Sequence, residues 1–215
     1  MNLIDLYPKE LLCERVPVSQ VSFVEYGLSE IEKIVGLKEN CMFELGGTIW
    51  DKYIQTHPDV DPMSLAIHFQ TGNPSLYKEV SNFVGTDVIK DILYIHTNTD
   101  DSSVDYKDFS ELLIAVLHQN ILHISDVEFS NPLEPMKPSE RQSEFQAFRG
   151  LNLFGELVDR CVTYSKEHNL DRICLTAAHI SLVPFFEKYG FVVDDTPTGK
   201  HGMAHGSSIP MTRLV

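Results

Sequence analysis

The alternation of apolar and polar positions is clearest between residues 149 and 191, where it predicts helix, strand, helix and the start of another strand. Apolar residues recur there at the spacing of one helix face, which predicts a helix from about 153 to 168. These residues are Leu153, Leu157, Val158, Cys161 and Val162. Asn169 follows at a place where helices commonly end in left-handed backbone. The next segment, 172–177, is too continuously apolar to be half exposed, so a buried strand in a parallel pair is predicted.

A second helix is predicted after this strand. His179 or Ser181 can begin it, and Pro184 lies in its first turn, where a missing N–H costs little. Gly190 ends it, and residues 191–195 are predicted to form another short strand.

The rest of the chain also alternates between strand and helix patterns. Further strands are predicted at 21–26, 64–70, 91–97, 121–130 and 209–215. Further helices are predicted at 29–36, where Ser29 and Glu32 would form a capping box, at 76–84 and at 109–117. The Gly- and His-rich segment 198–208 is predicted to be a loop. Residues 40–62 receive no prediction, because Gly46-Gly47 indicates a turn within a segment that otherwise fits helix or strand.

The segment from about 145 to 195 resembles a known family. Phe185–Phe191 reads Phe-Phe-Glu-Lys-Tyr-Gly-Phe, and Arg149-Gly150 begins a loop before a helix. Both are similar to the GCN5-related N-acetyltransferase (GNAT) superfamily, in which an Arg/Gln-x-x-Gly-x-Gly/Ala loop binds phosphate and a later Tyr-Glu-Lys-x-Gly-Phe phrase closes the site. The chain departs from that pattern at Asn152 and Phe154, where the family prefers Gly, and at Phe186, where it has tyrosine.

This resemblance implies an α/β fold: a GNAT-like mixed, twisted sheet of six or seven strands flanked by helices. It implies acetyl-CoA, or another acyl-CoA, as co-substrate, entering between the strands at 121–130 and 172–177. The loop would hold the coenzyme pyrophosphate through backbone N–H groups at a helix N-terminus. The implied cofactor-binding residues are Arg149, Gly150, Asn152, Leu153, Phe154 and Gly155. An alternative is that 139–168 forms two packed helices, with a Ser139/Gln142 capping box and no phosphate loop.

Acyl transfer to an amine requires a base, donors for the developing oxyanion and often an acid for the departing thiolate. Asp126 and Glu128 lie two apart on a predicted strand and so share a face, which makes either a candidate base. Tyr189 is the nearest hydroxyl to Phe186 and is a candidate acid. His179 takes the place of a family Asn and is a fourth candidate. Each also has an ordinary structural interpretation, as a paired carboxylate, a packed ring or a satisfied histidine.

The predicted function is an acyl-CoA-dependent N-acyltransferase of a small-molecule or protein-borne amine. One alternative is an acyl-homoserine lactone synthase, indicated by the insertion between the strand at 121–130 and Arg149. Another is a non-catalytic acyl-CoA-binding relative, indicated by the three departures from the family pattern. A single acyltransferase-like domain is expected over 1–215, with a divergent acidic half at 1–130 and an acyl-CoA-binding half at 131–215.

The net charge of the chain limits the classes of molecule that it is expected to bind. The chain of 215 residues carries a formal net charge of −14, and residues 1–130 hold 8 Lys/Arg against 21 Asp/Glu. This argues against nucleic acid and suits a cationic acceptor. Neither a membrane span nor a secretory signal is apparent, so a cytoplasmic protein is expected, and a homodimer remains open. The four cysteines lack metal or disulfide spacing, so no metal site is predicted.

Overall fold

The structure, a computed structural model, describes residues 1–18, 20–57, 61, 63, 67, 74–102, 104, 106–141 and 146–215. A single mixed β-sheet takes strands from both halves of the chain. Its strands are β1 Val21–Gly27, β2 Ile89–Thr99, β3 Ser110–Leu117, β4 Ile121–Pro135, β5 Phe148–Gly150, β6 Arg172–His179, β7 Val192–Val193 and β8 Ser207–Leu214. Seven lie in the order β1-β2-β3-β4-β6-β8-β7, and β5 pairs with the outer part of β4.

One pair of neighbours among these described strands is parallel. Ile121 of β4 pairs with Arg172 of β6, and the last pair of this ladder joins Ile124 to Leu175. The other pairs are antiparallel. The predicted α/β class and mixed sheet of six or seven strands are therefore confirmed, with seven strands in the main order and β5 as an addition.

Helices cover both faces of the sheet. They are α1 Lys9–Arg15, α2 Ile31–Leu37, α3 Glu39–Lys52, α4 Leu76–Val84, α5 Phe154–Glu167, α6 Val183–Glu187 and α7 Pro197–His205. On one face, Leu157 of α5 shares a hydrophobic core with Leu122 and Ile124 of β4. On the other, Ile49 of α3 and Leu76 of α4 belong to a second core. None of the helices in the described part is long and apolar enough to span a membrane.

Most predicted elements are confirmed, and their ends follow the expected backbone rules. The strands at 21–26, 91–97, 121–130, 172–177 and 209–215 and the helices at 76–84 and 153–168 are all present. Asn169 has φ 55° and Gly85 has φ 69°, so both helices end in left-handed backbone. The strand predicted at 64–70 falls mostly outside the described residues.

The helix predicted at 109–117 is wrong, because this segment is β3. Leu112 and Leu113 are both fully buried, one in each of the two cores. A central strand covered on both faces reads as a continuous apolar run, which can also match helical spacing. Burial by both helix layers, and not the local period, decides the structure here.

The loop predicted at 198–208 is also wrong, because most of it forms α7. Thr196 caps this helix by accepting a hydrogen bond from the Gly199 N–H at 3.1 Å. A Cβ at Gly199 would lie 2.0 Å from the Asp194 carbonyl oxygen, and one at Gly202 would lie 2.8 Å from the Ser208 carbonyl oxygen. These glycines therefore permit close packing, rather than loop flexibility.

Two smaller expectations also fail. No side-chain hydrogen bond caps α2, which continues through Gly36 to Leu37, so the Ser29/Glu32 capping box is absent. The alternative of two packed helices across 139–168 is contradicted by β5, which occupies Phe148–Gly150.

Candidate functional site

The parallel strands β4 and β6 separate beside a β-bulge. In the β3–β4 ladder the pairing passes from Ile124 to Asp126 and leaves Ser125 as an extra residue. Ser125 and Asp126 consequently both face α3, where the Ser125 hydroxyl donates to the Cys41 carbonyl at 3.2 Å. Beyond the bulge, β4 stays paired with β3, and β6 stays paired with β8. The two strands β4 and β6 therefore separate, and a gap opens in the middle of the sheet.

Main-chain polar groups of β4 line this gap. The Leu151 N–H donates to the Phe129 carbonyl at 2.8 Å. The backbone N–H and C=O of Phe129 therefore point away from β3. Backbone groups of an antiparallel strand alternate between its two sides, so the N–H of Val127 faces the same way as Phe129, toward β6. Among the described strands, none pairs with this edge of β4 between Ser125 and Phe129.

The N-terminus of α5 lies next to the gap and has no capping side chain. Leu153 occupies the N-cap position, where no side-chain hydrogen bond is made, and Asn152 turns the chain with φ 55°. The first N–H groups of such a helix lack intrahelical partners and can bind an anion. The Arg15 guanidinium donates to the Leu151 carbonyl and brings a positive charge to this end of the helix.

The predicted cofactor residues divide between β5 and the start of α5. Arg149 and Gly150 lie in β5, where the Arg149 Nε is 3.0 Å from the Glu134 carboxylate. Both side chains of this ion pair are largely exposed. Leu153 and Phe154 are buried in the core. The structure thus places Asn152 to Gly155 at the helix N-terminus and Arg149 on the adjacent hairpin.

An aromatic cluster packs against the first turn of α5. The Phe154 ring lies 5.3 Å from Phe185, 5.4 Å from Phe186 and 5.1 Å from Tyr189, measured between centroids. A Cβ at Gly155 would lie 3.1 Å from the Tyr189 ring. Phe154 therefore turns into the core, and Tyr189 packs directly over the glycine of the predicted loop.

A cavity of about 430 Å³ lies on the other face of the sheet, over the same gap. Ser125 of β4 and Thr176 of β6 contribute to its floor, and Glu44, Thr48 and Asp51 contribute from α3. The gap is thus flanked by an uncapped helix end on one face and by a cavity with acidic lining on the other.

A histidine–carboxylate pair lies at the floor of this cavity. His123 of β4 is 1% exposed, and its Nε2 lies 3.1 Å from the Glu44 Oε1. Its Nδ1 lies 3.5 Å from the Thr48 hydroxyl. With a proton on Nε2, the ring donates to Glu44, and the Thr48 hydroxyl faces Nδ1. The ring holds the Glu44 carboxylate in place beside the gap.

The predicted bases Asp126 and Glu128 lie on the same face of β4 but are already partnered. The Lys38 ammonium lies 2.7 Å from Asp126 and 2.5 Å from Glu111. Burial alone would lower the pKa of Lys38, yet its hydrogen bonds to Asp126 and Glu111 outweigh burial and raise it. The Tyr106 hydroxyl donates to Glu128 at 2.8 Å. Asp126 therefore belongs to an ion-pair cluster at the side of the cavity.

The other two predicted catalytic residues lie apart from these carboxylates. His179 is exposed at the end of β6, where its Nδ1 accepts a hydrogen bond from the Ser181 N–H at 3.2 Å and caps the next turn. Tyr189 belongs to the aromatic cluster on the α5 face. In the described part of the chain, no hydrogen bond joins either residue to Asp126 or Glu128.

Cysteine chemistry is disfavoured in this region. Cys41 and Cys174 both line the cavity. Burial raises the pKa of the Cys41 thiol to about 12, with the nearby Asp126 adding to the effect. Burial also raises the pKa of the Cys174 thiol. Both therefore stay protonated near neutral pH and are poor nucleophiles.

Comparison with known proteins gives structural matches only. No protein-family model and no curated protein sequence matches the chain. It is similar to a GNAT-family acetyltransferase structure from Staphylococcus aureus Mu50 (15% identity, 91% of this chain and 99% of the other, TM-score 0.38). It is also similar to the PaiA N-acetyltransferase of Thermoplasma acidophilum in complex with coenzyme A (13%, 91% and 99%, TM-score 0.36).

A further match is a structure described as a streptothricin acetyltransferase from Bacillus anthracis str. Ames, in complex with acetyl coenzyme A. It is 13% identical with a TM-score of 0.35, and the match covers 58% of this chain and 62% of that one. These matches are acetyltransferases, as the segment 149–191 led us to expect. At these values the similarity carries no argument about what this chain does.

Proposed function

We propose that this protein is an acyl-CoA-dependent N-acyltransferase that transfers an acetyl group to a cationic amine. One observation carries the proposal: β4 and β6 separate at a bulge, between an uncapped helix N-terminus on one face of the sheet and an acidic cavity on the other. Two substrates could therefore enter from opposite faces of the sheet and meet at the gap. Direct transfer requires both substrates to be bound with their reacting atoms close together.

The α5 face suits the coenzyme. The backbone N–H groups from Asn152 to Gly155 and the dipole of α5 would bind the pyrophosphate, and Arg15 would add a charge-assisted contact. Glu156 also lies in this first turn, but its carboxylate is 2.8 Å from the Arg160 guanidinium, which offsets its charge. The pantetheine arm would then enter the gap between the two strands.

The gap suits the thioester. The Val127 N–H faces it and would donate to the carbonyl oxygen, on which negative charge develops during attack. Because this donor belongs to a strand held by β3, it is positioned before the substrate arrives.

The cavity suits the amine. Glu44 would take a proton from the ammonium group, after which the amine nitrogen attacks the carbonyl carbon and forms the C–N bond. The nitrogen loses its second proton as the C–S bond breaks, and the coenzyme leaves as its thiolate, which takes up that proton, while Glu44 returns the first proton to solvent. His123 would act as a positioning residue for Glu44 through its Nε2 contact.

Coenzyme binding is the first test. At about 100 times its dissociation constant, acetyl-CoA should raise the free energy of unfolding by about 2.7 kcal/mol. Release of free thiol would then be measured with a panel of amines. A melting temperature unchanged by acetyl-CoA up to millimolar concentration would refute the proposal.

A second candidate function is non-catalytic binding of acyl-CoA. It is favoured by Phe186, which is buried in the core and carries no hydroxyl for the departing thiolate. Tyr189 stays a candidate for that proton donor, since it packs at the start of α5. Coenzyme binding without thiol release for any amine would select this second function.

A further inference from the structure

The cavity lining has an excess of negative charge that its own residues do not neutralise. Its charged groups are Glu44, Asp51, Asp194 and Lys52. Lys52 forms a buried ion pair with Asp194, with side chains 10% and 9% exposed, and also donates to Thr212 at 2.9 Å. Two carboxylates, Glu44 and Asp51, therefore remain to act on a ligand.

Asp51 has one oxygen with a partner and one without. Its Oδ1 accepts a hydrogen bond from the Gln55 amide at 3.0 Å. Its Oδ2 is buried, and none of the residues that the structure describes offers it a hydrogen bond. One hydrogen bond from a neutral amide leaves the negative charge of Asp51 uncompensated within the described lining, and this favours a cationic group in the cavity.

The two carboxylates lie on the same side of α3. Glu44 and Asp51 are seven residues apart, which is about two turns and about 10 Å along the axis. Gly47 lies between them and also lines the cavity, so no side chain fills the space over this turn. Phe43 and Trp50 add aromatic surface to the lining, which suits an alkyl chain.

On the basis of the proposed function, we infer that the acceptor is a linear molecule with two cationic amines and no acidic group. One amine reacts beside Glu44 at the gap, and the second binds Asp51 further along α3. An acidic group is excluded because the one lysine of the described lining is already paired with Asp194. A diamine or polyamine has this chemistry, whereas a simple monoamine offers no cation to Asp51.

The test compares diamines from diaminopropane to diaminooctane with monoamines of the same chain lengths. Thiol release from acetyl-CoA gives kcat and KM, and calorimetry gives acceptor affinity independently of turnover. We expect longer diamines to bind at least about tenfold more tightly than the matching monoamines. Asp51→Asn should remove this advantage, so that a diamine then binds no more tightly than the monoamine of the same chain length.

Asp195→Asn is the matched control. It removes the same charge from an exposed residue that pairs with Lys200 outside the cavity, and should change neither series. Equal affinity of the unmodified protein for diamines and monoamines would overturn the inference, and so would an equal effect of Asp51→Asn on both. If no amine releases thiol, the proposed function fails, while diamine binding that depends on Asp51 would still support the cavity assignment.

Discussion

His123 Nε2 lies 3.1 Å from Glu44 Oε1, and this contact joins the central parallel strand to the helix that covers it. The two residues are 79 positions apart in sequence. Because the histidine is almost fully buried and the carboxylate opens on the cavity, the pair can position a base without exposing it widely to solvent.

Glu44→Gln should abolish most of the proposed activity and preserve coenzyme binding. Removal of a general base typically lowers kcat by about 10²- to 10⁴-fold. Glu39→Gln, at an exposed position of the same helix, is the control and should behave like the unmodified protein. An unaltered kcat in Glu44→Gln would assign the base elsewhere. Asp126→Asn and Glu128→Gln would then show whether either of the carboxylates predicted from the sequence performs this role.

Arg15→Ala should weaken acetyl-CoA binding by about tenfold or more, which corresponds to 1.4 kcal/mol or above. Its guanidinium contacts the loop carbonyl at the N-terminus of α5. Arg149→Ala is the comparison, because Arg149 was predicted from sequence to bind phosphate but is paired with Glu134 in β5. Isothermal titration calorimetry of both variants decides between them. A larger loss in Arg149→Ala would move the coenzyme phosphates toward the β4–β5 hairpin.

Lys38→Met should make stability depend on pH in the acidic range. Burial raises the pKa of Glu111, and the neighbouring Asp126 raises it further. Without Lys38, repulsion between these carboxylates would raise the folded-state pKa of Glu111 more. A carboxyl group whose folded pKa exceeds its unfolded value stabilises the fold when protonated, so stability is gained as pH falls and lost as pH rises through that pKa. Urea unfolding of the variant from pH 4 to pH 8 should show this slope, and a flat profile would contradict it.

Iodoacetamide should label Cys13 well before Cys41 in the native protein. Cys13 is exposed, whereas burial raises the pKa of Cys41 to about 12 and so suppresses its thiolate at pH 8. Mass spectrometry of partly labelled protein measures the order. Equal labelling rates would show that Cys41 is a reactive thiol and would reopen a covalent mechanism at the cavity.

Gly46→Ala should destabilise the protein by about 1 to 3 kcal/mol, the usual cost of overpacking. The added Cβ would lie 2.7 Å from Leu76 Cγ and 2.9 Å from the Tyr77 nitrogen of α4. Gly36→Ala in α2 meets nothing within 4 Å and should stabilise through helix propensity by up to about 1 kcal/mol. Opposite shifts in the urea midpoint would confirm the helix contact, whereas a stabilising Gly46→Ala would contradict it.

The sequence predicted the elements whose signals are local. The helix ending at Asn169 and the strand at 172–177 combine period, length and end signals, and both are present. The strand β3 was mistaken for a helix because burial on two faces removes the alternation that marks a strand. The segment around Gly46-Gly47 has no prediction because two glycines indicate a turn, whereas in the structure Gly46 lies within α3 and permits its contact with α4, which no local rule reveals.

The candidate site was less predictable than the fold. Asp126 and Glu128 stand out in the sequence because they lie two apart on one predicted strand, and their catalytic role stays a prediction. Glu44 was missed because its partner lies on a distant strand, and Arg15 because it contacts the loop only through tertiary packing. A periodicity analysis of α3 would have placed Glu44, Thr48 and Asp51 on one side of a helix, had the helix been recognised.

The separation of β4 from β6 has a mechanical consequence. Four residue pairs, from Ile121 with Arg172 to Ile124 with Leu175, form the seam between the two halves of the sheet. Strands β1 to β4 on one side of the seam, and β6 with β8 on the other, are joined by longer antiparallel ladders. The seam is therefore the place where the sheet can twist or open most readily. A ligand bound in the gap would contact both halves of the sheet. It would thereby couple them, so that they unfold as one cooperative unit.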